Sequence, residues 1–169
     1  MGPGSFLPQP LRAASALVRG RALPDAVGAA LDALAGARET GDGDEVSAAL
    51  AAALTAAVSA AGGGSPSTEA MVRLGQGWVA EEALAVAVYC ALTAADFRSG
   101  VLLAVNHGGD SDSTGAICGN LLGASLGAGA IDPGLLDGLE GRETITQIAD
   151  DLHDVFAEGR EPSSQRYPG

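Results

Sequence analysis

At 169 residues the chain is the size of one compact domain, for which roughly 100–200 residues are usual. With 47% hydrophobic and 18% charged residues it is too apolar to stay disordered. Nine basic against 21 acidic residues leave a net charge of −12, which excludes nucleic acid or an anionic membrane surface as the main partner, since both select for basic patches.

The two cysteines, Cys90 and Cys118, cannot build a disulfide scaffold, and both lie in apolar stretches; they read as buried free thiols in a reducing compartment. The chain holds 34 Ala and 25 Gly, and all nine basic residues are Arg, as in GC-rich bacterial genomes. Abundant Ala favours helices and lets them pack closely. Pro3, Pro8 and Pro10 interrupt the N-terminus, and no apolar run follows a basic start, so no signal peptide is read there. Residues 1–9 read as a disordered leader or an expression scar. The longest apolar run, 48–61, has fourteen residues and is interrupted by Thr55 and Ser59. That is short of the ~20 residues that span a bilayer, and a cytoplasmic protein is expected.

The elements all read as helices. Over 24–38, Val27, Ala30, Leu31 and Leu34 fall at i, i+3, i+4 and i+7, with Pro24 and Asp25 suited to the first turn. After the Gly41-Asp42-Gly43 break, Asp44 caps a helix running to about Ala61, which Gly62-Gly63-Gly64 terminates. Ser65-Pro66 starts a short helix to about Arg73. Leu74-Gly75-Gln76-Gly77-Trp78 is a loop, followed by a helix over 79–94 with Leu84, Val88, Ala91 and Leu92 on one face. Asp96 caps a helix to about Val105. A Gly-rich polar turn over 106–115 leads into an apolar helix from about Asp112 to Gly127. The last helix, 143–158, carries Ile145, Ile148, Ala149, Leu152 and Phe156 on one face, and 159–169 is a frayed tail. No segment alternates with period 2, so the fold class is all-α, a compact orthogonal assembly of about 6–8 helices in a domain over 10–158.

One segment carries chemistry. His107-Gly108-Gly109-Asp110-Ser111-Asp112-Ser113-Thr114 gathers two carboxylates, three hydroxyls and two glycines ahead of an apolar helix. Hard divalent cations take oxygen ligands, and Asp110 and Asp112 can converge on one ion if the backbone curls. The same residues could instead serve as N-caps, although a helix needs one cap rather than five oxygen-bearing side chains. Asp110-x-Asp112-x-Thr114-Gly115-x-Ile117 also matches the start of an EF-hand loop, but Leu121 stands where the bidentate Glu is required.

The run from Asn106 through Asp110, Asp112, Gly115, Cys118 and Gly119 to Ala124 resembles the C-terminal signature of ADP-ribosylglycohydrolases of the dinitrogenase-reductase-activating-glycohydrolase type. Leu74-Gly75-Gln76-Gly77-Trp78-Val79-Ala80-Glu81-Glu82-Ala83-Leu84 resembles the second signature of bacterial members, about thirty residues upstream. The resemblance covers about residues 10 to 157 and only the C-terminal half of a family member. It implies an all-α fold lacking its N-terminal half. It further implies two Mg²⁺ or Mn²⁺ ions in the full site, and metal-assisted hydrolysis of the bond between ADP-ribose and a protein side chain or small molecule. By position, Asp110, Asp112 and Ser113 would be metal ligands, with Thr114 the alternative hydroxyl, and Trp78, Val79, His107, Gly108 and Gly109 would line the substrate cleft. The family's N-terminal Glu, its Thr-Asp-Asp-type run and its middle His find no counterpart here; Asp150-Asp151 lies in the last helix and lacks their context. At most one weak ion site is therefore expected, in an ADP-ribosylglycohydrolase-like hydrolase completed by an N-terminal chain or by self-association. A non-catalytic helical module binding ADP-ribose or a protein partner is the alternative.

The remaining polar residues have plainer readings. His107 could touch substrate or close its own loop. His153, among Asp150, Asp151 and Asp154, reads as a solvated face. Glu81 and Glu82 suit the positive end of their helix. Gly115, Gly119, Gly123 and Gly127 put small residues on one face for close helix packing.

Overall fold

In the computed structural model, residues 17, 20–37, 44–63, 65–156, 158–161 and 165–167 are described. The leader over 1–9 and Asp42 lie outside them. Among the described residues there are eight α-helices and no strand, as the lack of period-2 patterning predicts. The chain forms two compact units, residues 1–131 and 132–169.

The first unit contains α1 (Leu23–Ala37), α2 (Asp44–Ala61), α3 (Thr68–Leu74), α4 (Ala80–Thr93), α5 (Phe97–Val105) and α6 (Ser111–Leu126), ending in a 3₁₀ turn (Ala128–Ala130). Helix α4 is its axis: α2 and α6 pack against it, and α5 packs against α6. The expectation of a single apolar face on α4 is corrected here. All seven residues from Ala85 to Ala91 are buried, whereas Leu84 and Leu92 are only half-buried. Alanines between Val86, Val88 and Tyr89 let neighbours approach from every side, and a helix apolar all round belongs at the centre of a core.

Helix α2 has 18 residues, longer than the apolar run over 48–61, and by length and composition alone it could cross a membrane. In the fold its Leu50, Ala53 and Ala57 enter the core. The start of α3 is corrected from Ser65 to Thr68. Ser67 takes the N-cap in extended conformation, its side chain accepting the Ala70 N–H at 3.2 Å. Its own N–H donates to the buried Tyr89 hydroxyl at 3.1 Å, which holds Ser67 outside the helix. Asp96 caps α5 in a reciprocal box: its carboxylate accepts the Ser99 N–H at 2.7 Å and Ser99 Oγ accepts the Asp96 N–H at 3.1 Å.

Cys90 on α4 and Cys118 on α6 are both free and fully buried. Cys90 Sγ lies 3.4 Å from Met71 Sδ. Burial pushes both thiols up to about 12, with the neighbouring Cys118 adding to the effect at Cys90.

The second unit contains α7 (Pro133–Asp137), absent from the expected elements, and α8 (Arg142–Phe156). Asp132 caps α7 through the Gly134 N–H at 2.8 Å, with Pro133 in the first turn. On α8, Ile145, Ile148 and Leu152 share one face and are exposed. In the tail expected to fray, Arg166 and the Tyr167 hydroxyl both donate to Asp151, at 2.6 and 2.8 Å, and Arg160 donates to Asp154 at 2.7 Å. His153 is exposed, as on a solvated face.

Candidate metal centre

The acidic bend sits between α5 and α6. Asp110 is the N-cap of α6, its carboxylate accepting the Ser113 N–H at a long 3.5 Å. Asp112 lies exposed in the first turn. Hydrogen bonding from the Asp112 carboxyl, then from Ser113, holds the Asp110 carboxyl below its ordinary range. The three residues expected to ligate an ion thus occupy the cap and first turn of one helix, where backbone N–H groups face outward. Asp110 thus serves as the cap that the plainer reading of these residues expects. The EF-hand alternative, already disfavoured by Leu121, is excluded: residues 111–121 form continuous α-helix, so they cannot wrap an ion as a calcium loop.

Thr114, the alternative hydroxyl, has a different task. It is fully buried, and its Oγ1 lies 2.8 Å from both the Ala104 carbonyl and His107 Nε2 and 3.0 Å from the Asp110 carbonyl. His107 Nδ1 accepts the Gly109 N–H at 3.1 Å, so the ring proton sits on Nε2 and donates to Thr114. The half-buried imidazole thus bolts the bend to the start of α6, and both of its ring nitrogens are engaged.

A second loop, 75–79, abuts the bend. The Asp110 N–H donates to the Gln76 carbonyl at 2.8 Å. A Cβ at Gly109 would collide with that carbonyl, so the close approach requires glycine. Trp78 and Val79 are 68% and 48% exposed on this loop, and the Trp78 indole N–H donates to Gln76 Oε1 at 3.2 Å. Gly108 is exposed and Gly109 half-buried.

Two residues important to this geometry escape a reading of the sequence. Gln76 joins the loops through its carbonyl. Glu82, in the first turn of α4, accepts the Gln76 and Gly77 N–H groups on a single oxygen at 2.9 and 3.1 Å. The available signal is Gly75-x-Gly77 followed by an acid at the start of a helix, but an acid there has an ordinary explanation in the helix dipole.

Hard oxygen donors suit Mg²⁺ or Mn²⁺, and the carboxylates of Asp110 and Asp112 and the hydroxyl of Ser113 are donors of that chemical kind. Among the described residues no three His, Cys, Asp or Glu side chains gather to hold a metal. A groove of about 510 Å³ between α2 and α3, lined by Thr55, Ser59, Arg73 and Tyr89, lies away from the carboxylates.

Over 86 residues the chain is 35% identical to an uncharacterized protein of Archaeoglobus fulgidus. The aligned stretch is 51% of this chain but 28% of that relative. No solved structure matches. The family model for ADP-ribosylglycohydrolase matches residues 11–162, taking in both loops and the carboxylate bend. A match over most of the chain's length, joined to the all-α fold, places this protein in the ADP-ribosylglycohydrolase family of glycoside-cleaving hydrolases.

Proposed function

We propose that the chain forms part of a metal-dependent hydrolase that cleaves the glycosidic bond joining ADP-ribose to a protein side chain or a small molecule. The observation that carries this reading is the placement of Asp110, Asp112 and Ser113 at the entrance of α6 in a chain matching the family over 11–162.

Asp110, Asp112 and Ser113 would hold Mg²⁺ or Mn²⁺. A divalent cation supplies Lewis-acid polarisation and charge neutralisation at such a centre. His107 and Thr114 fix the backbone that carries the carboxylates, Gly108 leaves the approach open, and Gly109 lets the 75–79 loop close on the bend. Trp78 and Val79 offer apolar surface to a nucleotide, the indole ring held by Gln76. Three protein donors against the six that Mg²⁺ prefers make at most one weak site. The remaining ligands and the walls around the substrate come, in this reading, from an N-terminal segment or chain, or from self-association. Two buried free thiols support a cytoplasmic location.

A second reading, a non-catalytic module that binds ADP-ribose or a protein partner, is favoured by the want of a third carboxylate or imidazole at the centre among the described residues.

Calorimetry with ADP-ribose, paired with an assay of ADP-ribose release from ADP-ribosylated arginine and serine peptides, tests the proposal. Mn²⁺ is expected to strengthen ADP-ribose binding in the wild type and not in Asp112→Ala. Turnover by this chain alone should be slight or absent until a complementing N-terminal segment is added. Binding indifferent to Mn²⁺ and to Asp112 supports the non-catalytic module. No binding under any condition contradicts the hydrolase and the ADP-ribose-binding module alike.

A further inference from the structure

We infer that Glu82 is a positioning residue for the carboxylate centre, acting through one peptide plane of the 75–79 loop; the inference rests on the proposed role of Asp110. An acid in the first turn of a helix ordinarily faces that helix's own free amides. Glu82 instead turns outward, accepting the N–H groups of Gln76 and Gly77 on Oε2 at 2.9 and 3.1 Å. Val79, the N-cap of α4, has no polar side chain to cap the helix, and Glu82 Oε2 is engaged by the loop amides.

The Gly77 N–H and the Gln76 carbonyl belong to the same rigid, trans peptide unit and point to opposite sides of it. One edge of that unit is held by Glu82. The other accepts the Asp110 N–H at 2.8 Å. The peptide is thus strung between the Glu82 carboxylate and the backbone of Asp110, and a charged acceptor on one edge polarises the bond on the other.

Two glycines make the arrangement possible. Gly75 has φ +125°, and a Cβ there would collide with the Glu82 side chain, which lies across it. Gly109 presses on the Gln76 carbonyl from the far side. Glu81, one residue earlier on the same turn, makes neither loop bond and serves as a matched control.

The test combines NMR-detected hydrogen exchange at the Asp110 amide of the metal-free protein with Mn²⁺ affinity from the free-ion EPR signal. Glu82→Gln is expected to raise exchange at Gly77 and Asp110 about tenfold and to weaken Mn²⁺ binding about tenfold, as the loss of charge assistance implies. Amides in the buried span of α4, such as Tyr89, should be unchanged, and Glu81→Gln should alter neither readout. Gly75→Ala, which displaces the same carboxylate, should reproduce the effect, and it decides the question if Glu82→Gln fails to fold. Unchanged Asp110 exchange overturns the inference, as does raised exchange with Mn²⁺ affinity intact. A wild type that binds no Mn²⁺ overturns the metal reading, and Asp110 exchange alone then decides whether Glu82 positions that residue.

Discussion

The Thr114 hydroxyl lies 2.8 Å from His107 Nε2 and is closed off from solvent, so one buried oxygen joins the bend to the helix that follows it. It also meets the Ala104 carbonyl at the end of α5. Thr114→Val keeps the shape and removes the hydroxyl, leaving the His107 N–H and the Ala104 carbonyl without that partner. An unsatisfied buried polar group costs about 1–3 kcal/mol, and the variant should lose that much in urea denaturation. Thr114→Ser keeps the hydroxyl and should lose less. A Val variant as stable as the wild type would show that this oxygen holds nothing together.

Gly109→Ala and Gly108→Ala form a matched pair. A Cβ at Gly109 meets the Gln76 main chain, which cannot swing away, whereas nothing lies within 4 Å of one at Gly108. Overpacking of this kind costs about 1–3 kcal/mol, while an open surface position stays within ~0.5 kcal/mol. Equal unfolding midpoints for the two variants would contradict the close contact between the loops.

Much of the fold is legible because its signals are local. Asp96 and the Gly62-Gly63 stop mark helix ends that a neighbouring side chain or a missing one decides, and the structure ends α2 at Ala61 as read, while Asp44, read as its cap, is the first residue of the helix. Asp110, Asp112 and Ser113 are legible as a cluster for the same reason: four residues of one turn bring them together. The burial of α4 on all sides is not legible, because a helix at the centre of a core shows no polar face for a periodicity to find. Helix α7 escapes because five residues are too few to show a period, although Asp132-Pro133 is a helix-start signal. Glu82 escapes because it acts through amides, and every residue has those. Only the folded contact between the 75–79 loop and the bend reveals which amides it holds.

Asp96 gives the fold a dependence on pH. Hydrogen bonds from the Ser99 N–H and then the Ser99 hydroxyl hold its carboxyl below the ordinary 3.8. The folded value is the lower one, so the stabilisation is complete above pH 3.8 and is lost as pH falls through the folded value. Asp96→Asn keeps a capping oxygen without the charge. Its melting temperature should lie below the wild type's at neutral pH, and the two should approach each other below pH 3.8. A gap that does not change with pH would contradict the assignment.

Burial holds the Cys90 and Cys118 thiols at about 12, so few thiolates form in the native state near neutrality. Ellman's reagent at mildly alkaline pH should label the native protein very slowly and release two equivalents in guanidinium. Rapid labelling without denaturant would mean that α4 and α6 open far more readily than their packing allows.

Titration of the wild type and of Asp112→Ala with Mn²⁺, read by the free-ion EPR signal, tests most directly whether the Asp110–Ser113 bend holds a divalent cation. Asp112 is exposed, so the variant should fold as the wild type does. The predicted result is saturable, weak binding of one ion by the wild type, with a raised melting temperature, and loss of both in Asp112→Ala. Equal binding by the two proteins, or none by either, would contradict it.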